Sequence, residues 1–71
     1  NLVNLKQVDL SLSKKLMELP DLSKATNLEV LDLSCCYRFT HVHASIFSLP
    51  KLEKLDFCRC ISLTIYLQAN P

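Results

Sequence analysis

Glycine and tryptophan are both missing from this chain of 71 residues. Without glycine, the chain cannot form the glycine-rich loops that cradle phosphates in P-loop and dinucleotide-binding proteins. Its tight turns must rely instead on proline, asparagine, aspartate and serine. The sequence also lacks any apolar run near the roughly 18 to 20 residues that a bilayer-spanning helix requires. We therefore expect neither a phosphate-binding loop nor a transmembrane helix.

A strong charge of either sign is lacking as well, because eight lysines and arginines face seven aspartates and glutamates, for a net charge of +1. This balance predicts no nucleic-acid or membrane partner. Leucine, by contrast, is abundant: it occupies fifteen positions, and the hydrophobic content is 49%. Such a composition argues against disorder. A chain this short nevertheless buries only about 60% of its unfolded surface, which leaves it marginal without neighbours.

An apolar pattern recurs three times along the chain, with starts at residues 5, 28 and 52. The resulting spacings of 23 and 24 residues are typical of leucine-rich repeats. Each copy has apolar residues at its first, fourth, sixth and twelfth positions, and serine or cysteine at its ninth. The copies are Leu5, Val8, Leu10, Ser13 and Leu16; Leu28, Leu31, Leu33, Cys36 and Phe39; and Leu52, Leu55, Phe57, Cys60 and Leu63.

Within each copy, apolar residues two apart alternate with polar ones, as in Val8-Asp9-Leu10, which predicts a short strand. This alternation, together with Pro20 and Pro50, disfavours the alternative of an amphipathic helical hairpin. The predicted fold class is an α/β solenoid, a leucine-rich-repeat fragment of about three coils. Short parallel strands would form its concave face, and irregular or short helical turns its convex face. One helical turn is predicted at 45–49, with Ser45 as its N-cap.

The stretch 19–33, LPDLSKATNLEVLDL, resembles the leucine-rich repeats of plant intracellular immune receptors that combine Toll/interleukin-receptor, nucleotide-binding and leucine-rich-repeat parts. Residues 45–52, SIFSLPKL, resemble the coil that often follows in that family. The departures are Ser13 in place of cysteine or asparagine, Phe57 in place of leucine, and Cys35 where glycine often precedes the turn cysteine. Extracellular plant repeats carry a glycine-containing segment that this chain cannot have. The resemblance therefore implies a cytoplasmic or nuclear protein.

The repeat pattern covers residues 1–71, with coils starting near 5, 28 and 52. Neither end of the sequence carries a polar capping module, which a solenoid needs to cover its terminal coils. We therefore expect the chain to be an interior fragment of a longer solenoid.

The resemblance implies a protein-interaction segment without catalysis or cofactors. The expected partners are a pathogen effector, a guarded host protein, or other domains of the same receptor, among them the nucleotide-binding domain in an autoinhibitory contact. The nucleotide switch and the NAD-cleaving activity of the family belong to domains outside this repeat pattern. The alternative interpretation is a leucine-rich-repeat scaffold or adaptor segment of another intracellular protein.

Outward-facing strand residues and the turns after them form the predicted protein-binding surface, because stacked coils place equivalent residues in columns. The columns are Gln7, Val30 and Lys54; Asp9, Asp32 and Asp56; Ser11, Ser34 and Cys58; and Leu12, Cys35 and Arg59. The acidic column, Asp9, Asp32 and Asp56, either binds basic groups on a partner or supports the adjacent turns by hydrogen bonds. The second interpretation is favoured, because charged residues usually mark a solvated face. Exposed apolar residues such as Leu12 and Val30, near Arg59, suit an interface core.

The four cysteines lack the spacing of a zinc knuckle. The strand register turns Cys36 and Cys60 inward and Cys58 outward, so the thiols diverge and we expect no metal. The two inward thiols are expected to satisfy backbone carbonyls. They lie close enough in the ladder for a disulfide, although an intracellular location favours free thiols. The histidines at 41 and 43 are expected on the solvent-facing convex side.

The expectation of an interior fragment leads to a test on the isolated chain. Coils that lack their neighbours leave apolar edges uncovered, so thermal unfolding should be poorly cooperative or accompanied by aggregation. Circular dichroism and light scattering at micromolar concentration would measure this. A sharp two-state transition of a monomer would contradict it.

Overall fold

A computed structural model describes residues 1–63. Its three strands, Gln7–Asp9 (β1), Val30–Asp32 (β2) and Lys54–Asp56 (β3), form one parallel sheet in the order β1-β2-β3. The register aligns equivalent positions of the repeat, so that Asp32 pairs with both Asp9 and Asp56. The predicted short parallel strands are confirmed. The rest of the predicted third coil, beyond residue 63, lies outside the described residues.

Within residues 1–63, one short 3-10 helix at Leu2–Asn4 precedes β1, and a second at Ala44–Ser48 lies in the connection between β2 and β3. The second confirms the helical turn predicted near 45–49, but it begins one residue earlier and the predicted N-cap was wrong. The cap is His43, whose extended backbone directs its ring toward the N–H of Ser45, which donates to His43 Nδ1 at 3.2 Å. Ser45 lies inside the helix, where its hydroxyl contacts the same ring nitrogen at 2.7 Å.

Burial is graded across the three copies of the repeat, which we call units 1, 2 and 3. All five pattern residues of unit 2, from Leu28 to Phe39, are fully buried. In unit 1 the equivalent residues are half-buried, and in unit 3 the first three are half-buried. Within residues 1–63, the middle unit is covered on both sides, whereas each outer unit has a neighbouring unit on one side only. At roughly 1.5–3 kcal/mol for full burial of one large apolar side chain, the pattern residues of the middle unit stabilise the fold more than those of either outer unit.

Each strand leads into a turn in which one residue adopts a left-handed backbone conformation. The three residues are Leu12, Cys35 and Arg59, with φ of 63°, 60° and 62°. For residues with a Cβ atom this conformation costs roughly 1–2 kcal/mol, whereas glycine adopts it freely. The turn therefore explains why glycine often stands at the position of Cys35 in similar repeats, and this chain forms the same turn three times without glycine.

The thiols of the two buried cysteines connect neighbouring units. Cys36 Sγ donates to the carbonyl of Leu10 at 3.1 Å, and Cys60 Sγ donates to the carbonyl of Leu33 at 3.0 Å. Both bonds run from the turn of one unit to the residue that follows the strand of the preceding unit, which confirms the predicted role of these thiols. Both cysteines are free of disulfides. Burial raises the pKa of each thiol above its ordinary value, so the neutral donor form is favoured.

Replacing a left-handed residue by glycine should stabilise the turn. For Cys35→Gly we expect a gain of about 0.5–1 kcal/mol, because relief of steric strain exceeds the added freedom of the unfolded chain. The adjacent Ser34, which lacks a positive φ, is the matched control, and Ser34→Gly should destabilise by a similar amount. Hydrogen exchange of the 30–36 segment in a protein that contains the chain would measure both. Equal effects of the two substitutions would contradict the proposed strain.

Buried and exposed thiols should differ in reactivity. Iodoacetamide at neutral pH should label the exposed Cys58 first and leave Cys36 and Cys60 protected, because burial and a raised pKa both suppress the reactive thiolate. Peptide mass spectrometry would measure the order of labelling. Similar labelling rates at all three sites would show that the thiols are not held as described.

The same raised pKa values predict a loss of stability in alkali. The stabilising contribution of each buried thiol is fully present below its ordinary pKa of about 9.0 and is lost as the pH rises through the higher folded-state value. A Cys36→Ser, Cys60→Ser variant keeps two hydroxyl donors that do not titrate. Between about pH 8 and pH 10 this variant should therefore lose less stability than the parent, as measured by thermal unfolding of a protein that contains the chain. Equal losses in the two proteins would contradict this role of the thiols.

Candidate functional site

The outward side of the sheet brings together three of the columns predicted from the sequence. We call this the sheet surface, and it consists of Gln7, Val30, Lys54, Asp9, Asp32, Asp56, Ser11, Ser34 and Cys58. The strand pairs align Gln7 with Val30 and Lys54, and Asp9 with Asp32 and Asp56. The separation of adjacent members of a column is set by the spacing of hydrogen-bonded strands, roughly 4.8 Å. Outer members such as Gln7, Lys54 and Cys58 are exposed, whereas Val30 and Asp32 are half-buried.

The three aspartates close the turns that follow their strands. Asp9 Oδ1 accepts the N–H of Ser11 at 2.9 Å, Asp32 Oδ1 that of Ser34 at 2.9 Å, and Asp56 Oδ1 that of Cys58 at 2.8 Å. Such bonds to the backbone two residues on are a standard use of aspartate in turns. The sequence allowed two roles for the acidic column, turn support and partner binding. These hydrogen bonds show that the column supports the turns.

Asp9 differs from the other two aspartates in its hydrogen bonding. Its Oδ1 also accepts the hydroxyl of Ser11 at 2.6 Å. The hydroxyl, and then the backbone N–H of the same serine, lower the pKa of the Asp9 carboxyl below its ordinary value. At neutral pH, Asp9 is thus held in its charged form. Water weakens the repulsion between neighbouring carboxylates of the column, and salt reduces it further.

The fourth predicted column lies at the edge of the sheet surface, in the left-handed turns. Leu12 is 61% exposed, and the N–H groups of Leu12 and Cys35 donate to the carbonyls of Ser34 and Cys58 at 2.9 and 2.8 Å. Tyr37, which sequence reasoning did not select, lies against this column. A hydrogen bond to Cys35 raises the pKa of the Tyr37 phenol, and the charge of Arg59 opposes that shift.

A second contact that the sequence analysis missed joins all three units on the side where the strands begin. Asn27 Nδ2 donates to the carbonyl of Val3 at 2.7 Å, and Lys51 Nζ donates to Asn27 Oδ1 at 3.0 Å. The available signal was the register, because it places Asn4, Asn27 and Lys51 at equivalent positions.

A shallow cleft of about 220 Å³ lies between the connection that follows β1 and the connection that follows β2. There, Glu18 and His41 form an isolated parallel bridge. His41 and His43 also line the cleft, and both are exposed, as predicted for the convex side. Within residues 1–63, no group of three or more histidine, cysteine, aspartate or glutamate side chains is arranged to hold a metal ion.

The described part of the chain, residues 1–63, contains no helix with the length and apolar character needed to cross a membrane.

The chain is similar in sequence to plant proteins. It is 52% identical over 61 residues to disease resistance protein RML1B of Arabidopsis thaliana, a match that covers 86% of the chain and 6% of RML1B. It is 42% identical over 65 residues to disease resistance protein RPP5 of the same plant, covering 92% of the chain and 4% of RPP5. Disease resistance protein RPS6 is 47% identical over 53 residues, covering 75% of the chain and 5% of RPS6.

No protein-family model matches the chain. No solved structure matches it either. The chain spans only about one-twentieth of the length of the curated relatives it matches. Over most of its own length, the chain is therefore homologous to a short segment of plant disease resistance proteins.

Proposed function

We propose that the chain is three coils of a leucine-rich-repeat solenoid in a plant intracellular immune receptor that also has Toll/interleukin-receptor and nucleotide-binding parts. In this role the sheet surface is the concave wall of the solenoid. It recognises a protein, either a pathogen effector or guarded host protein, or the receptor's own nucleotide-binding domain in the resting state. The receptor acts in the cytoplasm or the nucleus. The homology to disease resistance proteins supports the receptor assignment.

The single observation that carries the solenoid is the graded burial of equivalent residues. Leu31 of the middle unit is fully buried, whereas its equivalents Val8 and Leu55 in the outer units are half-buried. A further coil on each side would cover the two outer units as the outer units cover the middle one. This is the nearest-neighbour stacking by which repeat proteins build a continuous core.

The chemistry of the sheet surface favours binding over catalysis. Each aspartate commits one oxygen to its turn, and a carboxylate has further acceptor positions that remain for a partner. The buried thiols have raised pKa values, which makes them weak nucleophiles. A rigid column of acceptors flanked by Gln7, Val30 and Lys54 suits recognition of a protein surface by shape and charge. We therefore propose no enzymatic activity, cofactor or metal for this segment.

The two roles of the acidic column can be separated by substitution. In the full-length protein that contains the chain, replacing Asp9, Asp32 and Asp56 together by asparagine removes three charges but keeps an oxygen acceptor for each turn. Replacing all three by alanine removes both. We expect the asparagine variant to fold normally and to weaken partner binding. The alanine variant should also lose stability, by about 0.5–1.5 kcal/mol for each hydrogen bond removed.

Two measurements are needed for this comparison. Thermal unfolding of the purified protein reports on the turns, and co-precipitation with the separately expressed nucleotide-binding domain, together with the defence response in leaf tissue, reports on recognition. A matched control is Asp21→Asn, since Asp21 closes a turn through the N–H of Ser23 outside the sheet surface. If the triple asparagine variant retained both the resting state and the response, the acidic column would have no role in recognition.

A further inference from the structure

The segments that leave the three strands differ in charge from the strands themselves. Residues 12–15, 35–38 and 59–62 occupy equivalent positions in the three units, and together they contain four cationic side chains and no aspartate or glutamate. We call these segments the exit rim. Its cations are Lys14, Lys15, Arg38 and Arg59, and all four are exposed.

The exit rim also carries three of the exposed large apolar side chains in the described part of the chain. Leu12 is 61% exposed, Tyr37 is 37% exposed and Ile61 is 55% exposed. Scattered single apolar residues are normal on a protein surface, but a group bordered by polar or charged residues marks an interaction site. Aromatic residues and arginine are also the residue types enriched in interface cores.

The fold brings these side chains together. Register places Lys14, Tyr37 and Ile61 at one equivalent position of the three units, and Lys15 and Arg38 at the next. Backbone hydrogen bonds from Leu12 to Ser34 and from Cys35 to Cys58 tie the rim to neighbouring units. The hydroxyl of Ser62 donates to the carbonyl of Tyr37, which connects units 2 and 3.

We propose that the exit rim binds an acidic protein segment that also presents apolar side chains. The cations would pair with its carboxylates, while Leu12, Tyr37 and Ile61 would contact its apolar residues. Charge complementarity of this kind sets the speed and specificity of association, and the apolar contacts slow dissociation.

A protein segment fits the rim better than nucleic acid or a membrane. Four cations are few for a polyanion, and the turns place them three to six residues after the aspartates of the sheet surface. An extended polyanion would be repelled by that acidic column, whereas a short acidic segment can lie along the rim alone. The inference rests on the proposed role as a protein-interaction segment, and it adds the chemistry of one partner.

The test uses three variants of the full-length protein that contains the chain. The Lys14→Glu, Arg38→Glu double variant, which we call the reversed rim, changes the sign of two of the four charges on the exit rim. Lys6→Glu with Lys24→Glu makes the same change in net charge at exposed lysines outside the rim. Leu12→Asn removes an apolar side chain, and asparagine tolerates the left-handed backbone of that position. Because the substituted side chains are exposed, circular dichroism should show unchanged folding for all three.

The probe is a random peptide library displayed on phage, followed by titration of selected synthetic peptides. Selection on the parent protein should enrich peptides that combine glutamate or aspartate with apolar residues. The reversed rim should bind them about tenfold more weakly, the control pair should bind them within about twofold, and added salt should weaken parent binding. The Leu12→Asn variant should also bind more weakly, with the same salt dependence as the parent.

Two outcomes would overturn the inference. One is a set of selected peptides that are neutral or basic, or that bind the reversed rim as well as the parent. The other is rim-dependent binding to phosphatidylserine-containing vesicles or duplex DNA without any binding of acidic peptides. Peptides that bind the reversed rim as well as the parent but do not bind the triple asparagine variant would overturn the inference and support the proposed function. Absence of all peptide binding would also overturn the inference, whereas the proposed function would fail only if the triple asparagine variant left co-precipitation and the defence response unchanged.

Discussion

The parallel register of the three strands is the constraint on which the rest of the structure depends. Pairing Asp9 with Asp32 and Asp32 with Asp56 places every equivalent residue of the repeat in a column. The same register buries Leu28, Leu31 and Leu33 completely between their neighbours. A shift by one residue would move the apolar side chains to the outer face and the aspartates into the core, which makes this register strongly specified.

The turns show how a chain without glycine maintains that register. Each turn combines an aspartate that accepts a backbone N–H, a left-handed residue, and in units 2 and 3 a buried thiol that donates to the preceding unit. The aspartate and the thiol satisfy polar groups that an abrupt change of chain direction would otherwise leave unpaired. The strain of Cys35 and Arg59 is therefore offset by hydrogen bonds within and between units.

These turns also divide the surface by charge. Carboxylates gather at the ends of the strands, where turn closure requires an acceptor, and cations gather a few residues later on the exit rim, where no backbone group demands an anion. The acidic column and the cations of the exit rim therefore lie close to one another although the net charge is only +1. A partner can therefore be recognised by local charge that the overall composition conceals.

The strands, their parallel pairing and the inward thiols of Cys36 and Cys60 could all be predicted from the sequence, because a repeating apolar spacing has few ways to be buried. The helical turn near 45–49 was also predicted, but the N-cap was predicted at Ser45, whereas it is His43. Serine is a common N-cap residue, but the sequence does not show which residue is the last one with an extended backbone before the helix. The predicted surface residues could be assigned to columns, but their hydrogen bonds could not.

The sequence by itself determined the repeat, because the spacing of its apolar residues can be read along the chain. The repeat in turn determined the register, since equivalent apolar residues must be buried side by side. Only the tertiary structure decided that Asp9, Asp32 and Asp56 close turns, that Asn27 connects three units, and that Tyr37 lies against Cys35 and near Arg59. The physical reason is that a hydrogen bond depends on direction and on distances of about 3 Å, which no spacing along the chain records.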